Sequence, residues 1–503
     1  MQPQSIRNIG VYGVIRSAEV NDSLIPDGAV TDSKNFHFDR KGAATVRPGL
    51  TAIGSTVHAG NAIMSVFNAQ SSTLLVGVSA GGSVSIFMYN GSGWDRTLSG
   101  DTTNTITRFV DFAGRTIRVN GTYDSIKVWN GSNSAGWVSS GNPINPDQFT
   151  HDTSVNTQTL RAKYIEVYKS RIYLAGDPTM PDRLFYSQVI SSAGNLAWTP
   201  STDFVDINPS DGENISALKR YSLELLVFKP NYIYRFKTTG VDPDPLIRIG
   251  TRSQESVIEG KKGLYFMHDT GIFRYTGGYP EEISRPISDI ISSISYANIQ
   301  TASSWKDADH IYWNIGTLSV TERKKTTTYA NAVIRYTESS DIWTLYSYPF
   351  NPGEGATYNN GSSITQAIGL DNGVVATFNS GTTDLGEPIK SWLVTKWYEY
   401  ANTSSRLSQG ASGLSFQVQN SIYRNKTIEE IVGICDKAQD THIMYQVDDD
   451  DITWYDLGQM TDMISFFSNL NIKFNRIRFK IAVTSSLEAP IFQGLEITKG
   501  FVE

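Results

Sequence analysis

The stretch "SIFMYNGSGWDRTL" at residues 85–98 decides how this chain is read. It runs as an apolar strand that ends on an aromatic residue, turns through Asn-Gly-Ser-Gly and restarts on Trp94. The phrase returns as "IKVWNGSNSAGWV" at 126–138 and, more loosely, as "IFRYTGG" at 272–278 and "VIRYTESSDIWTL" at 333–345. Asn and Gly in the turn, with strand formers on both sides, make a β-hairpin the local solution. Trp94 and Trp137 end comparable hairpins about forty residues apart. Four short strands with their turns fill about 40–50 residues, the length of one propeller blade.

The surroundings keep that rhythm. Runs such as "AIMSVFN", "TLLVGVSA", "RIYLAG", "LELLVFKP", "GLYFMHD" and "HIYWNIG" are short, apolar and stopped by Gly, Asn, Asp or Ser. Successive runs lie roughly 8–14 residues apart, a spacing that suits a sandwich, a barrel or a propeller. The recurring hairpin favours an all-β fold with a β-propeller of about six to eight degenerate blades over residues 55–389. A large irregular sandwich is the competing architecture, because "NPINPDQFTHDTSVNTQTL" and "TGVDPDPLIRIGTRSQES" interrupt the period. Composition agrees with strands: of 503 residues, 11% are aromatic, 18% charged and 42 are Gly. One amphipathic stretch, "RPISDIISSISYANIQ" at 285–300, sets Ile287, Ile290, Ile291 and Ile294 on a single stripe. It predicts one short helix, capped by Ser284 with Pro286 in its first turn.

Residues 1–54 lack periodicity and carry the turn signals "PDG", "DRKG" and "RPG", which read as an N-terminal arm with short strands. From residue 390 to 503, "SWLVTKWYEY", "NKTIEEIVGICD", "RIRFKIAV" and "LEITKG" read as a separate β-sandwich. In "RIRFKIAV" the cations alternate with apolar side chains, one set per face.

Several function classes find no signal. A net charge of −7 argues against tight binding through nucleic-acid phosphates. "MQPQSIRNIG" lacks a secretory n-region and h-region, and no apolar run approaches the roughly 18 residues of a membrane helix. A cytoplasmically made chain without a membrane span is expected. Cys435, the single cysteine, can form no intrachain disulfide and reads as a buried thiol. The six histidines, at 37, 58, 151, 268, 310 and 442, are dispersed, with no ligand-like spacing. No phosphate loop or nucleophile elbow is present, and no spacing selects a carboxylate pair for glycosidic chemistry. No catalytic, cofactor-binding or metal-ligating residue is therefore nominated, no cofactor is expected, and the chain is not expected to be an enzyme. The acidic run in "VDDDDITWYDLG" lacks EF-hand spacing. It partly resembles the Asp-box turn of sialidase propellers at Asp449, Thr453 and Trp454, with Val447 and Asp451 where Ser and Gly would stand. A structural hairpin is expected there, ahead of weak calcium binding or carbohydrate contact.

One resemblance reaches across most of the chain. "LIPDGAVTDSKNFHFDRKGAATVRPGLTAIG" at 24–54 resembles the opening motif of the tail nozzle and tail-hub proteins of short-tailed bacteriophages. That family includes the tail tubular protein B and packaged-DNA stabilisation proteins. The matching positions are Pro26, Gly28, Asn35, Gly42, Arg47, Pro48 and Gly49. "YKSRIYLAGDPTMPDRLFYSQV", "LLVFKPNYIYRFKTTG" and "GLYFMHDTGIFRYTGGYPEEISRPISDII" are similar to the family's later blades, and the C-terminal strands to the sandwich that closes many such proteins. The resemblance implies a structural virion protein, located in the tail and in the host cytoplasm during assembly. It implies a homo-hexameric ring below the portal and adaptor proteins, in contact with tail fibre or tail needle proteins. Such a ring extends the DNA channel, retains packaged DNA and lets it pass at ejection without sequence-specific binding. The alternative is a receptor- or glycan-binding propeller at a tail tip, using loop aromatics such as Trp198 or Tyr358.

Overall fold

The computed structural model describes residues 4–17, 24–38, 42–101, 106–121, 124, 126–129, 131, 137–138, 160–189, 198–199, 202–236, 244–322, 325–359, 363–399, 426–448, 450, 452–484 and 489–502. The hairpins set the architecture. Residues 85–98 form the two outer strands of a four-stranded antiparallel sheet, Ile63–Ala69, Thr73–Ala80, Ser83–Tyr89 and Trp94–Asp101. Tyr89 and Trp94 face each other across the turn with ring centroids 5.2 Å apart. Asn90 Oδ1 accepts from the amides of Ser92 and Gly93, and Gly91 takes φ +100°. The repeats are built alike: Trp129 pairs with Trp137, and Tyr336 with Trp343 at 4.6 Å between centroids. Cross-strand aromatic pairs of this kind stabilise a hairpin from within, which is why the phrase recurs.

Seven such sheets follow one another among the described residues; the first six are antiparallel with their strands in chain order from the inside out, and the seventh takes its fourth strand from the N-terminal part of the chain. Blade 1 spans 63–101, blade 2 108–138, blade 3 164–206, blade 4 217–247, blade 5 258–282, blade 6 303–347 and blade 7 begins at 352. Blade 6 carries an extra hairpin, Leu318–Glu322 with Lys325–Tyr329, between its second and third strands. An apolar cluster fills each successive gap. Leu75 and Ile86 meet Trp129 between blades 1 and 2. Ile117 meets Ile165 and Ile172 in the next gap, and Tyr173 meets Leu218 after it. Phe228 meets Phe266 between blades 4 and 5, and Tyr265 belongs with Trp313 between 5 and 6. Trp305 and Tyr312 pack with Ile368 and Phe378, and Val375 with Val76 closes the circle. The fold is an all-β, seven-bladed propeller.

The chain's N-terminal part closes that ring. Leu50–Ala52 pairs antiparallel with Val375–Phe378 and supplies the fourth strand of blade 7. The rest of residues 1–54, expected as an arm, is distributed through the C-terminal sandwich. Gln4–Arg7 and Ala44–Val46 pair with Ile491–Val502, in a sheet completed by Phe36–Phe38, Lys426–Asp436, Ile464–Phe467 and Ile472–Phe474. Val30–Lys34 joins the facing sheet beside Ser391–Thr395, followed by Ile477–Val483, Thr441–Val447 and Tyr455–Gln459. The strands read over 390–503 thus fold with partners from the other end of the chain. Three- to five-residue strands that pair across hundreds of residues leave no local period to read.

One core runs through both units. Ile428, Ile443 and Phe479 of the sandwich belong to the same apolar cluster as Trp313, Ile334 and Trp343 of blade 6. Residues 285–300 seal the join as two pieces, Ser288–Ser292 and Tyr296–Thr301, after a 3₁₀ turn, and not as the single helix expected. Ile287, Ile290, Ile291 and Ile294 are buried as the stripe requires. Ser284 does not cap; its hydroxyl accepts from the Ile272 amide, whereas Ser295 Oγ caps the second piece through Asn298 N.

Candidate functional site

Two arrangements concentrate chemistry: a buried junction built by the N-terminal motif, and a cavity on the propeller axis. The junction follows from one residue in an unusual conformation. Asn35 sits at φ +61°, where Asn is among the few tolerated side chains, so the chain turns back on itself between two sheets. Its Oδ1 accepts from Arg47 Nε at 3.0 Å and from Ser347 N at 2.7 Å, while its Nδ2 donates to Lys390 O at 2.9 Å. Arg47 is 1% exposed. Its guanidinium makes a bidentate pair with Asp384 at 2.9 and 2.6 Å, donates to Ser347 O and Pro48 O, and lies 3.8 Å from the centre of the Tyr348 ring. Burial opposes the charge, yet the Tyr348 phenol and the Asp384 carboxylate hold the guanidinium above its ordinary pKa. This fork geometry suits Arg and not Lys.

Of the seven motif positions, Asn35, Arg47, Pro48 and Gly49 come together at this junction. Gly49 is required by contact: a Cβ there would lie 1.9 Å from Thr383 O. Gly28 and Gly42 sit apart from it, both against Asn8, and Pro26 accepts from Ala29 N to form the preceding turn. The motif therefore ties the sandwich, blade 6 and the end of blade 7 into one buried polar knot.

The axial cavity is about 380 Å³ and is lined from all seven blades, including Val66, Arg108, Ile165, Lys219, Glu255, Ser304 and Glu354. Arg108 Nη2 meets Glu255 Oε1 at 2.5 Å, its Nη1 donates to Lys163 O, and its guanidinium lies over the Tyr164 ring. Glu166 accepts from the amides of Val167 and Arg220. Asp111 accepts from Gln70 N and Thr116 Oγ1. Gln254 is held at both ends by the Leu218 backbone. Glu354 stands differently: burial and the Glu255 carboxylate push its carboxyl up to about 8, against the pull of Arg108 and Lys219. Glu354 is therefore a protonated acid at neutral pH. Glu255, however, is already engaged by Arg108.

The other sequence candidates fall elsewhere. Trp198 stacks on Phe185 and Tyr358 is buried against Tyr89, so both are blade packing. In the acidic run, Asp449 and Asp451 lie outside the described residues. Asp450, not Asp449, holds the turn that is described, through the amides of Ile452 and Thr453. No group of three metal-ligating side chains occurs among the described residues. Cys435 is buried, and burial pushes its thiol up to about 12. A polar cluster that the sequence did not suggest joins His37 to blade 6. His310 Nδ1 lies 2.7 Å from Asp307 Oδ1, Tyr312 OH donates to Asp307 Oδ2 at 2.8 Å, and the His37 and His310 rings meet edge-on at 5.7 Å. Placing the axial residues needed only the phase of the repeat, because each lies on or just before a blade's first strand. Asp384 and Tyr348 had no local signal at all.

No protein-family model matches the sequence, and comparison with curated proteins finds no match. Solved structures do resemble it. Virginiamycin B lyase from Staphylococcus aureus is 12% identical, with 65% of this chain and 98% of that one covered at a TM-score of 0.43. YCF48 from Cyanidioschyzon merolae is 8% identical over 64% and 98%, with a TM-score of 0.38. The Neurospora crassa Pan2 WD40 domain is 10% identical over 66% and 94%, with a TM-score of 0.36. At such identities these likenesses concern fold and transfer no activity. The propeller assignment rests on the seven sheets and the strand that closes them.

Proposed function

We propose that this chain is a structural protein of a bacteriophage tail, a nozzle or hub subunit that works as one segment of a DNA-conducting ring. The observation that carries this reading is the fate of the N-terminal motif. Four of the seven residues that carry the resemblance to the tail nozzle and hub proteins, Asn35, Arg47, Pro48 and Gly49, lock the sandwich and the propeller together around Arg47 and Asp384. A motif used as a mechanical joint fits a part that must hold its shape under load.

The axial cavity supports the same reading by its size. At about 380 Å³ it is in the small-molecule range, while the major groove of a DNA duplex alone is about 12 Å wide. In this reading DNA runs beside the propeller, in a lumen enclosed by several copies, and a homo-hexamer is the assembly proposed. Portal and adaptor proteins above, and fibre or needle proteins below, are its proposed partners. A chain of net charge −7 favours passage of DNA over gripping it. The test is electron microscopy of particles from cells infected with a phage lacking this gene. Heads that package DNA and then lose it, on truncated tails, are expected. Complete, filled particles that fail only to adsorb would overturn the proposal in favour of receptor binding.

A further inference from the structure

The axial cavity contains two charged side chains that the fold leaves uncommitted. Arg108 and Glu255 are occupied by each other, Glu166 and Asp111 by amides and a hydroxyl, and Gln254 by the Leu218 backbone. The Lys219 ammonium, on the inner strand of blade 4, makes no hydrogen bond or ion pair among the described residues. Glu354, on the inner strand of blade 7, meets only the Val66 amide. Blades 4 and 7 stand across a seven-membered ring, so the two groups face one cavity from nearly opposite walls. They are opposite in charge when ionised, yet they make no ion pair with one another.

We propose that the propeller axis is a binding site for a small zwitterion of the amino-acid type, with its ammonium on Glu354 and its carboxylate on Lys219. A plain amine or a plain acid matches one wall and leaves the other charge facing an unpaired group. A zwitterion matches both, and its side chain meets the apolar wall of Val66, Phe109, Ile165 and Val257. The volume of about 380 Å³ suits a ligand of that size. Binding is also linked to a proton. The groups that face Glu354 are Glu255, Arg108 and Lys219; burial and Glu255 push its carboxyl up to about 8, against the pull of Arg108 and Lys219. An arriving ammonium reverses that balance and releases the proton to solvent. This inference is independent of the virion reading.

Isothermal titration of the full chain tests it, with glycine, alanine, leucine, lysine and glutamate as probes and propylamine and propionate as half-matched controls. Saturable binding is expected for at least one amino acid, about tenfold or more tighter than for either control. Affinity should rise by about tenfold per pH unit between pH 6.5 and 7.5, with close to one proton released at pH 7 in buffers of different ionisation enthalpy. E354Q should abolish the proton release and weaken binding, and K219M should erase the preference for amino acid over amine. Absence of saturable heat at about 10 mM for all five probes overturns the proposal. Equal affinity for propylamine or propionate does so as well, and that comparison on the unaltered chain stands even if a variant fails to fold.

Discussion

Replacing Arg47 with Met keeps the length and apolar bulk of the side chain and removes the charge at the centre of the junction. Five hydrogen bonds go with it: one to Asn35, one to Pro48 O, one to Ser347 O and two to Asp384. The larger loss is what stays behind. Asp384 is 3% exposed, and without the guanidinium its carboxylate is a buried charge with its principal partner gone. Breaking a buried pair from one side costs about 3–5 kcal/mol. Against a total stability of about 5–15 kcal/mol, that is enough to separate the sandwich from the propeller in mild denaturant. Urea unfolding followed by tryptophan fluorescence should show the loss, and an early transition confined to the sandwich should appear. R47M/D384L removes the stranded charge and should recover most of the deficit, to within about 1–2 kcal/mol of the parent. A single variant that loses less than about 1 kcal/mol, or a double variant no better than the single, would refute the account.

Three further outcomes follow from the same geometry. Gly49→Ala drives a Cβ to 1.9 Å from Thr383 O and should lower stability by about 1–3 kcal/mol, whereas Gly278→Ala, with nothing within 4 Å, should be neutral; melting temperatures of the two decide it. His37 is held down to about 3 by burial, then by Arg335 and His310, and Asp307 to about 2 by its hydrogen bonds and His310, against the opposing effect of its burial. An unfolded chain takes up the His37 proton from pH 6.5 downward while the folded one does not. Stability should therefore fall on acidification between pH 6.5 and 3, by up to about 1.4 kcal/mol per unit, and fall further below 3.8 as Asp307 is protonated; H37Q should flatten the upper part of that slope in equilibrium unfolding. Deleting residues 1–54 removes four sandwich strands and the closing strand of blade 7. Size-exclusion chromatography of that fragment should find aggregates or expanded chains, and a monodisperse species with a sharp melt would contradict ring closure from the N-terminus.

What could be read in advance divides by distance along the chain. The hairpins were legible because Tyr89 and Trp94, or Trp129 and Trp137, sit within ten residues of each other and carry their turn between them. The blade period followed from their spacing, and seven blades fall within the range of six to eight. The helix was legible as a buried stripe, but Ser293 and Ser295 around Ile294 interrupt it, and composition alone gave no measure of that break. The junction was half legible. Arg47 and Asn35 lie in a recognisable motif, while Asp384, Tyr348 and Ser347 are about three hundred residues away and have nothing in their own surroundings to mark them. For the axial pair of Glu354 and Lys219 the phase of the repeat gives a place on a blade's first strand but no mark of a site. "NPGEGATYN" and "SALKRYS" are ordinary blade openings until the ring brings them to one axis.

The strand that closes the ring also sets an order on how the molecule can be made. Leu50–Ala52 leaves the ribosome early and waits for Val375–Phe378, and Gln4–Arg7 waits still longer for Ile491–Val502. Blades 1 to 6 can pair internally as they emerge; the ring closes only once Val375–Phe378 is made, and the sandwich only once Ile491–Val502 is. Contacts of such sequence separation are slow to form, and the waiting edges are open to the wrong partner. A prematurely terminated chain thus lacks a finished joint as well as a finished sandwich. A folded sandwich in this protein certifies that the strand Ile491–Val502 has been made.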